Sequence, residues 1–228
     1  MIFENYCKVK ESISKCCTDC GRDPEDVLLL AVSKRKSAEN ILELYGHGHR
    51  DFGENYVQEL CEKHEKLPKD INWHMIGHLQ TNKVKYIAPF VSLIHSVDSY
   101  KLASVIDKEA KKNNRIIPIL IQVNVALEDT KFGINSDEVI SLYEEIRKLE
   151  NVRIEGLMTS APYVENPEED RYVFRKLRDL SLDIHNKFQD NYVLKFLSMG
   201  MSNDYLIAIS EGSTLVRVGT DIFGERVY

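Results

Sequence analysis

Eight strand-like stretches alternate with helical stretches along this chain, and this alternation limits the fold more than any other sequence feature. The predicted strands span residues 27–33, 51–55, 71–76, 91–97, 116–125, 152–157, 196–198 and 214–218. A leading helix over residues 1–21 precedes them, and each strand except the last is followed by a helix. These helices span residues 37–45, 56–65, 82–88, 99–113, 136–149 (opened by Asn135 or Ser136), 168–188 (begun by Asn166-Pro167) and 204–210. Strands that alternate with helices predict a parallel sheet.

Eight such units in 228 residues match the size of a (β/α)8 barrel. The alternative is an open doubly wound sheet, which usually carries a glycine-rich loop after its first strand. That position here holds Ser33-Lys34-Arg35-Lys36, which contains no glycine. The sequence shows no internal repeat, low-complexity segment or linker. We therefore expect one α/β domain over residues 1–228, a TIM barrel with an extra N-terminal helix at residues 1–21.

The composition argues against nucleic acids and membranes as partners. The 30 basic and 36 acidic residues give a formal net charge of −6, which offers no basic surface to a nucleic acid. The first residues lack the layout of a signal peptide, and Pro118 and Gln122 interrupt the longest aliphatic run. We therefore expect a soluble, cytoplasmic protein.

Four of the five cysteines fall within the first twenty residues, and Cys17-x-x-Cys20 matches the spacing of a redox or metal motif. The same segment is predicted to be helical, where cysteine serves as a small core residue. No second ligand pair with zinc-like spacing follows it. We therefore expect neither a metal site nor a redox function.

Lys34 ends the first predicted strand, directly after the apolar run at residues 27–32. Such a run without alternation is typical of a strand covered on both faces. Desolvation at this position would lower the lysine pKa and free its amine as a nucleophile. The alternative is a lysine that snorkels to solvent from the strand mouth. For Arg35 and Lys36 in the following turn, and for Lys83 at a helix start, we expect solvated side chains.

Two glycine-containing segments near the carboxyl terminus are candidates for binding phosphate. Barrels often hold phosphate in the loops after strands seven and eight, at the start of a short helix. Gly200-Met201-Ser202 leads into the helix predicted at residue 204, and Gly219-Thr220 offers a second backbone approach. Both segments also fit ordinary strand-to-helix turns. Combined with a strand-end lysine, they suggest a phosphorylated aldehyde or ketone held as a Schiff base, as in a cofactor site or a sugar-phosphate aldolase.

Arg217 lies in the last predicted strand, and alternation places it on the same face as Leu215 and Gly219. An arginine that points into a barrel needs a hydrogen-bond acceptor, since it stays protonated. Either a bound ligand or a buried carboxylate, such as Glu54 or Asp221, meets that need. Three further candidates for ligand contact lie near strand ends, although each histidine among them also fits a structural role: Asn55, His74 and His78.

Five segments, in this order, resemble the pyridoxal phosphate homeostasis protein family, and the resemblance spans about residues 27 to 226. They are Ala31-Val32-Ser33-Lys34, Phe52-Gly53-Glu54-Asn55-Tyr56-Val57-Gln58-Glu59, Trp73-His74-Met75-Ile76-Gly77-His78-Leu79-Gln80-Thr81-Asn82-Lys83, Ser198-Met199-Gly200-Met201-Ser202 and Gly212-Ser213-Thr214-Leu215-Val216-Arg217-Val218-Gly219-Thr220-Asp221-Ile222-Phe223-Gly224. One departure is His78, where some members have proline.

The resemblance implies a barrel like the amino-terminal domain of alanine racemase, with pyridoxal 5'-phosphate bound as an imine. Lys34 resembles the lysine that forms this imine, and Arg217 resembles the arginine that faces the pyridine nitrogen. The remaining cofactor-binding residues follow from their positions in the motifs: Ser202, Gly219 and Thr220 at the phosphate, with Asn55 and Met158 beside the cofactor.

Two functions are compatible with such a site: a carrier that holds and releases the cofactor, and an amino-acid racemase or related enzyme. Alanine racemase needs a second domain with a tyrosine base, and we expect none here, since the chain stops shortly after the eighth strand. An arginine opposite the pyridine nitrogen also disfavours ring protonation, which weakens the cofactor as an electron sink. We therefore expect a non-catalytic, monomeric carrier whose partners are the cofactor, amino acids and cofactor-dependent apoenzymes.

Overall fold

Eight parallel strands close into a barrel in the order in which they occur along the chain, which confirms the predicted fold class. The computed structural model describes residues 1–128, 131–188 and 194–224, so residues 225 and 226 of the family resemblance lie outside the described residues. The strands are β1 Leu28–Val32, β2 Asp51–Glu54, β3 Asn72–Met75, β4 Leu93–Val97, β5 Ile117–Gln122, β6 Val152–Met158, β7 Phe196–Ser198 and β8 Leu215–Val218. Because all neighbouring strands pair in parallel, their carboxyl ends meet at one mouth of the barrel.

Helices cover the outside of the barrel. They are α1 Ile2–Asp19, α2 Ala38–Gly46, α3 Val57–Lys66, α4 Val84–Ile87, α5 Tyr100–Lys112, α6 Val139–Ile146, α7 Arg171–Phe188, α8 Tyr205–Ser210 and α9 Thr220–Phe223. Single 3-10 turns at Pro24–Asp26, Thr81–Lys83 and Pro167–Asp170 precede β1, α4 and α7. Among the described residues, no helix combines the length and apolar character that a membrane crossing requires.

Two helix predictions were wrong. The last strand is followed by a helix, the four-residue α9, which is too short to show an apolar period. Helix α6 begins at Val139, not at residue 135 or 136, because a turn intervenes. In that turn the N–H of Glu138 donates to the carbonyl of Asn135, while the Glu138 carboxylate accepts the N–H of Asn135. The start predicted for the helix before β7, at Asn166-Pro167, is the start of the 3-10 turn Pro167–Asp170. This turn leads directly into α7.

The leading helix α1 packs against the barrel through Val9, Ile13 and Cys17, which are all buried in the main core. Cys17 is thus a core residue, and all five cysteines are free thiols. Within the described ranges, no three His, Cys, Asp or Glu side chains converge as metal ligands. Contacts tie α1 to the last two helices: Asn5 donates to the carbonyl of Ile222, and the Cys16 thiol to that of Leu206. That residues 1–228 form one domain stays a prediction.

The barrel interior contains a small apolar cluster separate from the main core. It consists of Leu30, Leu93, Leu120, Met158 and Leu215. Strand register sets Leu30 beside Arg217 and Met158 beside Ser198, so both polar side chains share the inner face. The inner face of the barrel therefore combines this apolar cluster with buried polar side chains.

Candidate functional site

The residues predicted from the sequence lie at the carboxyl-terminal mouth of the barrel. Lys34 follows β1, Asn55 follows β2, Met158 ends β6, Ser202 follows β7, Arg217 lies in β8, Gly219 connects β8 to α9, and Thr220 is the first residue of α9. Met158 and Arg217 are buried, Lys34, Asn55, Ser202 and Gly219 are partly buried, and Thr220 is exposed. The fold thus brings these residues to one end of the molecule, while their roles toward a ligand stay predictions.

The two histidine candidates lie in different places. His78 is exposed, and its ring stacks on Phe132 with the ring centroids 4.0 Å apart. His74 is buried inside the barrel, where it contacts His95 rather than the mouth. The sequence therefore placed His74 in the third strand and His78 after it, as observed, but did not distinguish a surface ring from a buried one.

Arg217 is a buried cation without a carboxylate partner among the described residues. Its Nη1 donates to the carbonyl and the hydroxyl of Ser198, both at 2.7 Å. Its Nη2 donates to the carbonyl of Thr159 at 2.8 Å and to the hydroxyl of Ser160 at 3.2 Å. The suggested ion pair with Glu54 or Asp221 was therefore wrong: backbone carbonyls and hydroxyls are the acceptors.

The hydrogen bonds of Arg217 leave one of its five donors available. Four bonds occupy the two Nη atoms, and within the described part of the chain no acceptor is recorded for Nε–H. Burial lowers the pKa of Arg217 to about 10, although the carboxylate of Asp204 favours its charged form. The group therefore stays protonated at neutral pH and can donate to an acceptor atom on a ligand.

A buried charge cluster fixes the turn that carries Lys34. The Nζ of Lys63 donates to the carbonyl of Ser33 at 2.7 Å and to the carboxylates of Glu54 at 2.8 Å and Glu59 at 2.7 Å. The Ser33 hydroxyl donates to Glu54, and the Glu59 carboxylate also accepts the N–H of Arg35. The residues on both sides of Lys34 are therefore tied to β2 and α3.

The sequence reasoning did not identify Lys63. Two signals were present: Glu59 and Lys63 are spaced i, i+4 on a helix, and Lys63 falls on the buried side between Leu60 and Leu67. Burial raises the pKa of Glu54 to about 7, although Lys63 and the Ser33 hydroxyl both favour its charged form. The cluster is thus a desolvated ion pair beneath the turn.

Three other basic residues considered in the sequence analysis are Arg35, Lys36 and Lys83. Lys36 is partly buried, and its Nζ donates to the carbonyls of Phe223 and Gly224, both at 3.1 Å, at the end of α9. The prediction of a solvated side chain was therefore wrong for Lys36, because α9 supplies acceptors that were not foreseen. Arg35 and Lys83 are exposed, as predicted.

The two candidate phosphate loops touch each other. The N–H of Asp221, in the first turn of α9, donates to the Ser202 hydroxyl at 3.5 Å. At Gly219 an added Cβ would lie 3.3 Å from Cβ of Val32, so this glycine allows the ends of β8 and β1 to approach closely. The loop after β7, the start of α9 and the end of β1 therefore surround one small region.

Helix α8, predicted to face an anion, begins at an acidic residue. Asp204 precedes its first turn, and the Asp204 carboxylate accepts the N–H of Met201 at 2.6 Å. Gly200 adopts a φ of +95°, which allows the chain to turn tightly into this loop. The start of α9 at Thr220 is thus a second helix terminus at the mouth, which the sequence did not reveal.

Comparisons with known proteins agree over the full chain. Residues 24–227 match the family model described as alanine racemase, N-terminal domain. The pyridoxal phosphate homeostasis protein of Aquifex aeolicus is 47% identical over 226 residues, which cover 99% of this chain and 98% of that protein. The protein of the same name from Pseudomonas aeruginosa is 40% identical over 228 residues, 100% of this chain and 96% of that protein.

A solved structure adds a bound ligand to the comparison. PipY of Synechococcus elongatus, described with PLP bound, has a TM-score of 0.81 to this chain at 35% identity. The match covers 93% of this chain and 100% of the PipY chain.

Proposed function

The chain belongs to the pyridoxal phosphate homeostasis protein family, and on that premise we propose that it binds pyridoxal 5'-phosphate and later releases or transfers it. The proposal rests mainly on Arg217, a buried cation at the same mouth of the barrel as Lys34. Its Nε–H has no acceptor among the described residues and is available to a ligand. A pyridine nitrogen is an acceptor that such a donor fits. The PLP-bound structure of PipY supports the same ligand.

In this proposal Lys34 holds the cofactor covalently. Its Nζ amine adds to the aldehyde carbon of the cofactor and water leaves, so that a C=N bond joins the two. A free amine can then attack the same carbon and displace the lysine. The cofactor leaves as an imine of the free amine, and the amine of Lys34 is restored. Because the cluster around Lys63 fixes Ser33 and Arg35 on both sides of Lys34, it holds the backbone of the turn that carries the amine.

The other predicted residues hold the two ends of the cofactor. We assign the phosphate to the hydroxyls of Ser202 and Thr220 and to the backbone at Gly219, because the loops that carry them meet at the N–H of Asp221. Asn55, after β2, and Met158, at the end of β6, flank the ring from two other strands.

We propose a carrier rather than an enzyme. Arg217 donates to the pyridine nitrogen and, as a cation, opposes its protonation, so the ring withdraws electrons weakly and carbanion chemistry gains little. The alternative function is that of a PLP-dependent amino-acid racemase, which the match to the alanine racemase amino-terminal domain also supports. We further propose that the protein is a cytoplasmic monomer that passes the cofactor to apoenzymes and exchanges it with amino acids.

The experiment combines a binding spectrum with a turnover assay. Titration of the protein with pyridoxal 5'-phosphate should produce the visible absorption of an imine, and Lys34→Ala should abolish it. Addition of a PLP-dependent apoenzyme should then restore that enzyme's activity while the absorption of the carrier falls. Failure of the wild type to bind would contradict the cofactor proposal, and sustained racemisation of alanine or serine would favour the enzyme instead.

A further inference from the structure

A row of buried polar side chains crosses the barrel interior beneath Arg217. The guanidinium contacts the hydroxyl of Ser198 at 2.7 Å, and that hydroxyl lies 2.9 Å from Nδ1 of His95. Nε2 of His95 lies 3.0 Å from Nδ1 of His74, and Nε2 of His74 lies 3.6 Å from the carboxylate of Asp51. Ser198 and His95 have no exposed surface, and His74 is 4% exposed. The row thus joins a buried cation to a carboxylate through one hydroxyl and two imidazole rings.

Counting donors favours one direction for the hydrogen bonds in this row. Arg217 can only donate, so the Ser198 oxygen accepts from it, and the Ser198 hydrogen has His95 as its recorded acceptor. Nδ1 of His95 is then unprotonated, and its Nε2–H donates to Nδ1 of His74. His74 in turn carries its proton on Nε2, which faces the Asp51 carboxylate at 3.6 Å as an electrostatic contact. The three hydrogen bonds of the row therefore all point from Arg217 toward the Asp51 side.

The charges at both ends favour this direction. Burial raises the pKa of Asp51, but His74 and Asn72 outweigh that effect, so the pKa is lowered and the group is a carboxylate at neutral pH. Burial, with the nearby Arg217 cation, holds the pKa of His95 well below its usual range, so this ring stays neutral. Hydrogen bonds that align between a cation and an anion polarise one another.

The Asp51 end of the row opens into a cavity on the opposite side of the barrel. This cavity of about 820 Å³ is bordered by Asp51, His74, His49 and Tyr6 and lies at the amino-terminal ends of the strands. Asp51 thus stays partly solvated, whereas Arg217 is enclosed. The row therefore connects the polar mouth near Arg217 with a second, solvent-accessible opening.

We propose that Ser198 and His95 are positioning residues for Arg217, held in one hydrogen-bond direction by Asp51 through His74. In this arrangement the Ser198 oxygen is an obligatory acceptor for Nη1, so the guanidinium is fixed with Nε–H as its remaining donor. This inference rests on the proposed function, because the proposed function supplies the pyridine nitrogen that accepts from the Nε–H of Arg217. The opposite direction, with a protonated Nδ1 on His95, would present Ser198 with two donors and leave its own hydrogen without a recorded acceptor.

The direction of the row can be measured without any cofactor. Long-range ¹H–¹⁵N spectra of the apo protein, labelled at its seven histidines, distinguish protonated from unprotonated ring nitrogens. Comparison with His95→Gln and His74→Gln assigns the two signals. We expect both rings to be neutral and protonated on Nε2. A proton on Nδ1 of His95 overturns the proposal.

Cofactor binding tests the positioning role. Ser198→Ala removes the hydroxyl acceptor for Nη1 and should weaken the binding of pyridoxal 5'-phosphate about 10- to 150-fold, the range expected for one hydrogen bond to a charged group. It should also shift the absorption maximum of the bound cofactor, since the donor to the ring has moved. Ser96→Ala is the matched control, because Ser96 is buried beside His95 and its hydroxyl has no recorded partner.

The possible results separate the two proposals. Equal affinity and equal spectra for Ser198→Ala and Ser96→Ala overturn the positioning role while leaving the cofactor proposal intact. A wild type that forms no imine contradicts the proposed function, and with it the role toward the ring. The apo spectrum then still decides the direction of the hydrogen bonds.

Discussion

The Nζ of Lys63 lies 2.7 Å from the carbonyl oxygen of Ser33, the residue immediately before Lys34. The same Nζ pairs with Glu54, whose side chain has no exposed surface. The turn that carries Lys34 is therefore attached to α3 through a desolvated charge. Removal of one partner from a buried pair leaves the other charge without compensation, which is strongly destabilising.

We expect Lys63→Met to lower the free energy of unfolding by about 3–5 kcal/mol, because Glu54 would remain buried without its cation. Lys66→Met is the control on the same helix, since Lys66 is exposed, and it should change stability by less than about 0.5 kcal/mol. Urea unfolding of both variants measures the difference. Equal stabilities would show that the buried pair does not hold this turn.

Gly200→Ala should destabilise the protein by about 1–3 kcal/mol, because φ at this position is +95°. The new Cβ would also lie 2.7 Å from Cβ of Ala208 in α8. The loop that carries Ser202 would shift, so cofactor affinity should fall as well.

Gly46→Ala is the control for that substitution, because nothing lies within 4 Å of its added Cβ at the end of α2. It should be neutral or stabilise the protein by up to about 1 kcal/mol. Thermal unfolding measures both variants. A Gly200 variant as stable as the Gly46 variant would rule out the close approach of this loop to α8.

His95 should make stability depend on pH. Unfolded His95 takes up a proton near pH 6.5, whereas burial, with the nearby Arg217 cation, keeps its pKa far lower in the folded protein. The unfolded state therefore binds more protons below about pH 6.5, and His95 alone lowers the free energy of unfolding by about 1.4 kcal/mol per pH unit there. Glu54 has the opposite effect, because burial raises its pKa to about 7 in the folded protein. Between pH 7 and its lower pKa in the unfolded chain, Glu54 raises the free energy of unfolding as the pH falls.

A difference measurement isolates the His95 effect. The stability advantage of the wild type over His95→Gln should shrink as the pH falls from 7 to 5, since other groups contribute equally to both proteins. The difference between wild type and His185→Gln should stay constant, because His185 is exposed on α7. A constant difference for His95→Gln would mean that this ring takes up its proton equally in the folded and unfolded states, which contradicts the lowered pKa.

Lys36→Ala should loosen α9 without removing the imine. Loss of the donor to the carbonyls of Phe223 and Gly224 should cost about 1–3 kcal/mol of stability and weaken cofactor binding through Thr220. The visible absorption of bound cofactor should persist at saturation. Lys83→Ala, at an exposed position, should leave both properties unchanged. Loss of the absorption in Lys36→Ala would show that the imine forms on Lys36 and not on Lys34.

The barrel fold could be predicted from the sequence because its signals lie in short stretches of the chain. Each apolar strand and each helix is read from neighbouring residues, and β7 was predicted with its observed bounds at Phe196–Ser198. Helix α9 was missed because four residues after Gly219 carry no periodic signal. The correction at Lys36 follows from the same omission, since α9 provides its acceptors.

The contacts within the site were harder to predict because they join distant residues. The acceptors of Arg217 lie on β7 and in the loop after β6, 19, 57 and 58 residues away in the chain. Nothing in the sequence around Arg217 distinguishes these groups from Glu54 or Asp221. His95 likewise lies within an apolar strand, and only the closed barrel places its ring between Ser198 and His74.

Borohydride reduction of the cofactor-loaded protein, followed by peptide mapping with mass spectrometry, tests the central claim most directly. Reduction converts a C=N bond into a stable amine, so the modified lysine keeps the pyridoxyl group through digestion. The account predicts a single pyridoxyl adduct on Lys34. An adduct on Lys36, or no adduct on a protein that retains the cofactor, would contradict it.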